Sequence, residues 1–208
     1  MSKGTPHVQL GQDPVELSDA LQAEANSLVW SKGLDEALSQ FGSVFYTGSF
    51  RLNLMMWPDI DIEMSVEPDP DSVACFFDLG KAIASLEGVS NLQFSNQLHF
   101  PKHSEVAPEG LYWKVTIQRE KGRMPWKIDL YSLRPEIIDQ SKVEMNRLDQ
   151  KLDREKRALI LKTKYALLTP TGRTPISSGH NIYRAVLDEG LEEFNDIVEY
   201  LRENGVEV

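Results

Sequence analysis

A single cysteine, Cys75, stands in a chain of 208 residues, so no internal disulfide braces the fold. Its setting, SVACFFDLG, reads as a buried helical face with no chemical role. Long apolar runs are missing too. Each is short and broken by charge, well under the roughly 18 to 20 apolar residues that a membrane span requires. Met1 to Asp13 contains no apolar stretch of the signal-peptide kind, so residues 1–12 are expected to form a flexible N-terminus and the protein to be cytoplasmic. Positive charge is in short supply: Lys and Arg number 22 against 32 Asp and Glu, for a formal charge of -10, and the average field repels polyanions. That argues against a nucleic-acid partner and for a small or neutral acceptor. No internal repeat or low-complexity tract is present.

What is there is an ordinary globular composition, 41% hydrophobic and 26% charged, in a chain long enough for one well-buried domain with a helical extension. Asp13-Pro14-Val15-Glu16 combines an N-cap, proline at the first helical position and a glutamate at the third, so one long or two short helices are predicted over 15–41. SVFYT at 43–47 reads as a strand running into a Gly48-Ser49 turn, and Asp59 to Met64 alternates polar and apolar as a second strand. A helix is expected over Asp71–Leu86, then strands at Leu92–Phe100, Leu111–Arg119 and Trp126–Tyr131. From Ser141 the pattern predicts one long helix to about Thr169, a loop in TPTGRTPISSG, and a final helix pair split at Gly190. The class is therefore α+β, a mixed β-sheet with flanking helices at 13–138 followed by a helical region at 139–208.

The chemistry concentrates in acidic side chains. Alternate strand residues share a face, so Asp59 and Asp61 point the same way, about 6 to 7 Å apart along the chain. Mg²⁺ takes one or two carboxylates plus substrate phosphates, and an aspartate pair with a triphosphate meets that demand. A second ion generally needs a third carboxylate, for which Asp129 in WKIDLY is the candidate. A glycine turn opening into a helix offers bare N–H groups to phosphate; Gly48 and Ser49 provide it, and Arg51 adds a possible guanidinium donor unless a surface ion pair takes it.

Gly48-Ser49, nine intervening residues and then Asp59-Ile60-Asp61-Ile62, with Asp129 on a later strand, resemble the nucleotidyltransferase superfamily that includes DNA polymerase beta. The resemblance covers residues 43–132, with Thr47 standing where the pattern usually has an apolar residue. It implies a nucleotidyltransferase-like sheet, two Mg²⁺ ions held by Asp59, Asp61 and Asp129, and transfer of a nucleoside monophosphate from a nucleoside triphosphate such as ATP to a hydroxyl. The layout looks most like bacterial small-molecule or uncharacterised nucleotidyltransferases. The alternative is a noncatalytic, antitoxin-like nucleotide-binding module on the same fold.

Other residues carry plainer expectations. Lys127 shares the face of Asp129, where it either touches the triphosphate or neutralises that carboxylate. Glu63 is expected to be a solvated strand residue at the metal's edge. Lys162 and Lys164, in a stretch of interleaved charges from Lys142 onward, are expected on a solvated helix face with i,i+4 pairs rather than on phosphate. Tyr183, Trp113 and Trp126 read as packing residues. His99 and His103 read as loop residues, His180 as part of a helix start, and His7 as part of the terminus.

Overall fold

The computed structural model describes residues 12–98 and 108–208. The expectations for residues 1–11, including His7, and for His99, His103 and Pro101 lie outside the described residues.

Helix α1 (Pro14–Asn26) starts where its capping signal stands: the Asp13 carboxylate accepts hydrogen bonds from the amides of Val15 and Glu16. A π-helical turn (Ser27–Ser31) and α2 (Leu34–Ser39) follow, so the expected apolar stripe is divided at Gly33. The chain continues through β1 (Gly42–Thr47), the single helical turn α3 (Gly48–Arg51), β2 (Asp59–Val66) and α4 (Val73–Ala84), then β3 (Val89–Asn96), β4 (Leu111–Ile117) and β5 (Trp126–Ser132). Cys75 is half-buried on α4, beside rather than on the face formed by Phe76, Leu79 and Ile83. Four helices complete the chain: α5 (Pro135–Lys151), α6 (Arg154–Ala166), α7 (Ser178–Leu187) and α8 (Phe194–Glu203).

The expected long helix is two helices. The first begins at Pro135, six residues before Ser141, with proline in its first turn. It ends where Leu152 turns to an extended conformation, and Asp153 then caps α6 by accepting the Lys156 amide at 2.8 Å.

The sheet has the order β1-β2-β5-β4-β3, with β2 and β5 parallel and every other neighbour antiparallel. This mixed sheet with flanking helices is the expected α+β class. On one face Ile60, Ile62, Met64 and Val66 of β2, Ile128 and Leu130 of β5, and Val115 and Ile117 of β4 are almost wholly buried. Burying a side chain of this size is worth about 1.5 to 3 kcal/mol, so the apolar half of each strand anchors the sheet. Trp113 and Trp126 are packing residues, buried with their indole N–H groups bonded to the Phe76 carbonyl and to Glu24. The other face carries the charged alternates of β2 and β5. Helix α5 lies over it at β1 and β2, and is tied to α7 by Arg147 and Lys151, which both pair with Asp188. Among the described residues no helix is long and apolar enough to cross a membrane.

Candidate active site

The parallel register of β2 and β5 sets Asp61 beside Asp129 and Asp59 beside Lys127. Because all four side chains leave the same face, Asp59, Asp61 and Asp129 can each present one oxygen, and these oxygens lie within 4.8 Å of one another. The spacing suits ligation of one divalent cation. Two further features fit an ion there. Asp59 Oδ1 is buried without a hydrogen bond, 3.4 Å from the Lys127 ammonium, and so keeps lone pairs for a metal ion. Gly48, at φ +61°, closes over Asp61 so tightly that a methyl group at its Cα would overlap Asp61 Oδ2.

Lys127 lies inside the cluster. Its ammonium is 2.5 Å from Asp129 Oδ2 and straddles Asp59, 3.4 Å from Oδ1 and 3.5 Å from Oδ2, with hydrogen-bond geometry only toward Oδ2. Of the two expected roles for Lys127, neutralising the carboxylate is the one this geometry displays. The Tyr112 hydroxyl donates to Asp129 Oδ1 at 2.7 Å, and the Trp57 indole donates to Asp59 Oδ2 at 3.1 Å. Burial pushes Asp59 above the usual carboxylate range, opposed by Lys127 and reinforced by Asp129. Burial, then the charges of Asp59 and Asp129, raise Asp61 to about 7. For Lys127 burial alone would lower the value, but Asp59 and Asp129 outweigh it and hold the group protonated.

The glycine turn is built differently from the expectation. Helix α3 is only four residues long, so a helix dipole contributes little, and the polar groups come from elsewhere. Lys164 of α6 is the principal one. Far from being solvated, it is 0% exposed, and its ammonium donates to Ser49 Oγ at 3.0 Å, to the Leu54 carbonyl at 2.6 Å and to the Tyr183 hydroxyl at 3.2 Å. It also stands 5.1 Å from the centre of the Trp57 ring. No carboxylate among the described residues forms an ion pair with it. Tyr183 is packed, as expected, but its hydroxyl also shares a 3.0 Å hydrogen bond with Ser49. Lys162, by contrast, is exposed. The nearby ion pairs Lys142–Asp139, Arg147–Glu144 and Lys156–Asp153 run at i,i+3 rather than the expected i,i+4.

Arg51 points away from the turn to Asn146 at 3.4 Å and makes no ion pair among the described residues. Glu63 is not solvated: Ser141 of α5 donates to its Oε1 at 3.0 Å, its Oε2 is buried without a hydrogen bond, and burial raises its pKa. Sequence reasoning did not single out Arg173. The Thr169 amide and hydroxyl both donate to its carbonyl, closing a tight turn between α6 and α7, and its positive field reaches Asp59. His180 lies in the first turn of α7, as expected.

No protein-family model matches the sequence, and no curated protein matches it. Solved structures do. The chain is similar to the Cid1 poly(U) polymerase with Mg and 3′-dATP bound, at 15% identity and a TM-score of 0.50, over 82% of this chain and 48% of that one. Lower similarities reach a cytoplasmic RNA terminal U-transferase (13% identity, TM-score 0.48, 85% of this chain and 54% of that one) and the GLD-2/RNP-8 complex (11%, 0.49, 83% and 55%). The chain spans about half the length of these structures. At such identities the likeness is one of architecture, and what it establishes is that this chain shares its α+β fold, a mixed sheet with flanking helices, with the Cid1 poly(U) polymerase.

Proposed function

We propose that the protein is a magnesium-dependent nucleotidyltransferase that moves a nucleoside monophosphate from a nucleoside triphosphate to a hydroxyl of a small-molecule acceptor. The observation that carries this reading is the meeting of two half-sites: three carboxylates within 4.8 Å of one another, and the Gly48-Ser49 turn with the buried Lys164 ammonium alongside. A triphosphate with its magnesium needs both.

In this reading Asp59 and Asp61 hold the magnesium, whose charge, when bound, steadies the phosphates. Ser49, through its amide and hydroxyl, receives the outer phosphates, the buried Lys164 ammonium stands behind Ser49 Oγ and favours the anion through its charge, and Gly48 keeps the turn clear of a side chain. The acceptor oxygen bonds to the α-phosphorus while the bond from that phosphorus to the bridging oxygen breaks, and pyrophosphate leaves. The hydroxyl proton passes to Asp129, whose carboxylate is oriented by Tyr112 and Lys127. In the two-ion form of this chemistry Asp129 would also bind a second ion.

The fold is shared with a poly(U) polymerase, so an RNA acceptor is the natural competitor. The charge of -10 supports the small acceptor, because no long-range field draws a polyanion to this chain. The second reading, a noncatalytic nucleotide-binding module, draws on Lys127, whose ammonium pairs with two of the carboxylates.

The test is pyrophosphate release with each of the four nucleoside triphosphates and Mg²⁺, in the presence of hydroxyl-bearing small molecules or a short RNA. Release with a small acceptor, lost in Asp59→Asn, is the expected result. Nucleotide binding by calorimetry with no release for any acceptor selects the noncatalytic module, and release only with RNA overturns the acceptor class.

A further inference from the structure

Ligand capacity is unequal across the three carboxylates. Both oxygens of Asp129 already accept a hydrogen bond: Oδ1 from Tyr112 at 2.7 Å and Oδ2 from Lys127 at 2.5 Å. Asp59 Oδ1 is buried and without a hydrogen bond, with the Lys127 ammonium 3.4 Å from it, and Asp61 stands on the side closed by Gly48. An ion shared between Asp59 and Asp129 would therefore have to enter where the Lys127 ammonium already touches both residues.

The placement is built into the strand. Lys127 pairs in register with Asp59 across the β2–β5 ladder and lies two residues from Asp129, so the backbone delivers its side chain to both acids. The three side chains are between 16% and 19% exposed, which makes the pairing far less screened than a surface ion pair. Withdrawing Lys127 would leave two carboxylates there without a counter-charge, a costly state in a partly dry site. With Lys127 in place, three carboxylates, one ammonium and one divalent ion leave the cluster neutral.

We propose that Lys127 takes the place of a second metal ion, so that the chain binds a single divalent cation, at Asp59 and Asp61, and holds Asp129 with a side-chain ammonium instead. The inference rests on the metal site assigned under the proposed function. It makes Lys127 a positioning residue for Asp129 and identifies it as the group that sets the metal stoichiometry.

The experiment is a count of bound Mn²⁺ per chain, from the loss of the free-ion electron paramagnetic resonance signal, with Mn²⁺ alone and with α,β-methylene ATP, which cannot release pyrophosphate. One ion in the wild type, two in Lys127→Ala and one in Lys127→Arg is the expected pattern. Two ions in the wild type overturn the proposal while leaving the metal site intact. One ion in both the wild type and Lys127→Ala also overturns it, since Lys127 is then not what excludes the second ion. No bound Mn²⁺ in any form removes the metal site itself, and the proposal with it. Should Lys127→Ala not fold, the isosteric Lys127→Met takes its place and the wild-type count still decides.

Discussion

Lys127 and Lys164 end in one site with opposite surroundings. Lys127 is partly exposed and pairs with two carboxylates, so its charge is spent inside the protein. Lys164 is wholly buried and meets only neutral partners: a serine hydroxyl, a carbonyl and a tyrosine hydroxyl. Burying an ammonium without a counter-ion is unfavourable, and the three hydrogen bonds and the Trp57 ring only partly offset the lost hydration. The difference divides the site by task. The Lys127 end sets one ammonium among three carboxylates, stays acidic and holds those acids in position, whereas the Lys164 end places a positive charge behind Ser49, paired with no carboxylate by contact but felt by Asp61.

The largest test of this division is removal of an acid. Asp59→Asn is expected to lower nucleotidyl transfer by about 10²- to 10³-fold or more, the size seen when a charge-stabilising group leaves a dry site. Unchanged turnover would erase the distinction between the two ends.

The next test is stability against pH without metal. The folded-state value of Asp61 lies near 7, above its ordinary 3.8. Between those values the folded protein keeps a proton that the unfolded chain has released, so stability falls as pH rises through the window and the loss is complete above it. The shift corresponds to roughly 4 kcal/mol for the cluster. Urea denaturation with a chelator at pH 5 and pH 8 should show the wild type losing stability relative to Asp61→Asn, and saturating Mg²⁺ should restore it. Parallel pH dependence of the two proteins would show that burial and the neighbouring carboxylates do not raise Asp61 as described.

Lys164→Met should weaken binding of a nucleoside triphosphate by roughly 2 kcal/mol, the size of a charge acting across the intervening Ser49 hydroxyl, and should also lower fold stability because the Leu54 carbonyl loses its partner. Calorimetry with triphosphate and monophosphate tests it: equal weakening of both would place Lys164 off the outer phosphates. Tyr183→Phe is the mildest change, expected to cost about 1 kcal/mol in triphosphate affinity, because Lys164 keeps its bonds to Ser49 and Leu54.

The division was half legible in the sequence. The alternation of Asp59-Ile60-Asp61-Ile62 and the spacing from Gly48 announce the acidic end, because strand parity is a local property. Lys127 is carried by the same parity, two residues from Asp129. Lys164 was not legible. Its burial depends on which side of α6 packs against a turn 115 residues earlier in the chain, and neighbouring Lys162 shows that a lysine in that helix can as well be solvated. Glu63 was misjudged for a similar reason: its strand gives the face, but only the docking of Ser141 on α5 closes over it. The start of α5 was available in Pro135, and the break before α6 in Asp153. Both were overridden by an apolar stripe that runs on across the junction.

The alternation in β2 has a consequence for how this chain can vary through time. Substitutions at Ile60, Ile62 or Met64 exchange one buried apolar group for another and can be absorbed by repacking. A residue gained or lost within the strand is of another kind, because a one-position slip exchanges its two faces. Past that point the acids would enter the core and the aliphatic residues would face the substrate side, so one genetic event would destroy fold and catalysis together. The strand can drift in composition, but insertions and deletions within it are barred.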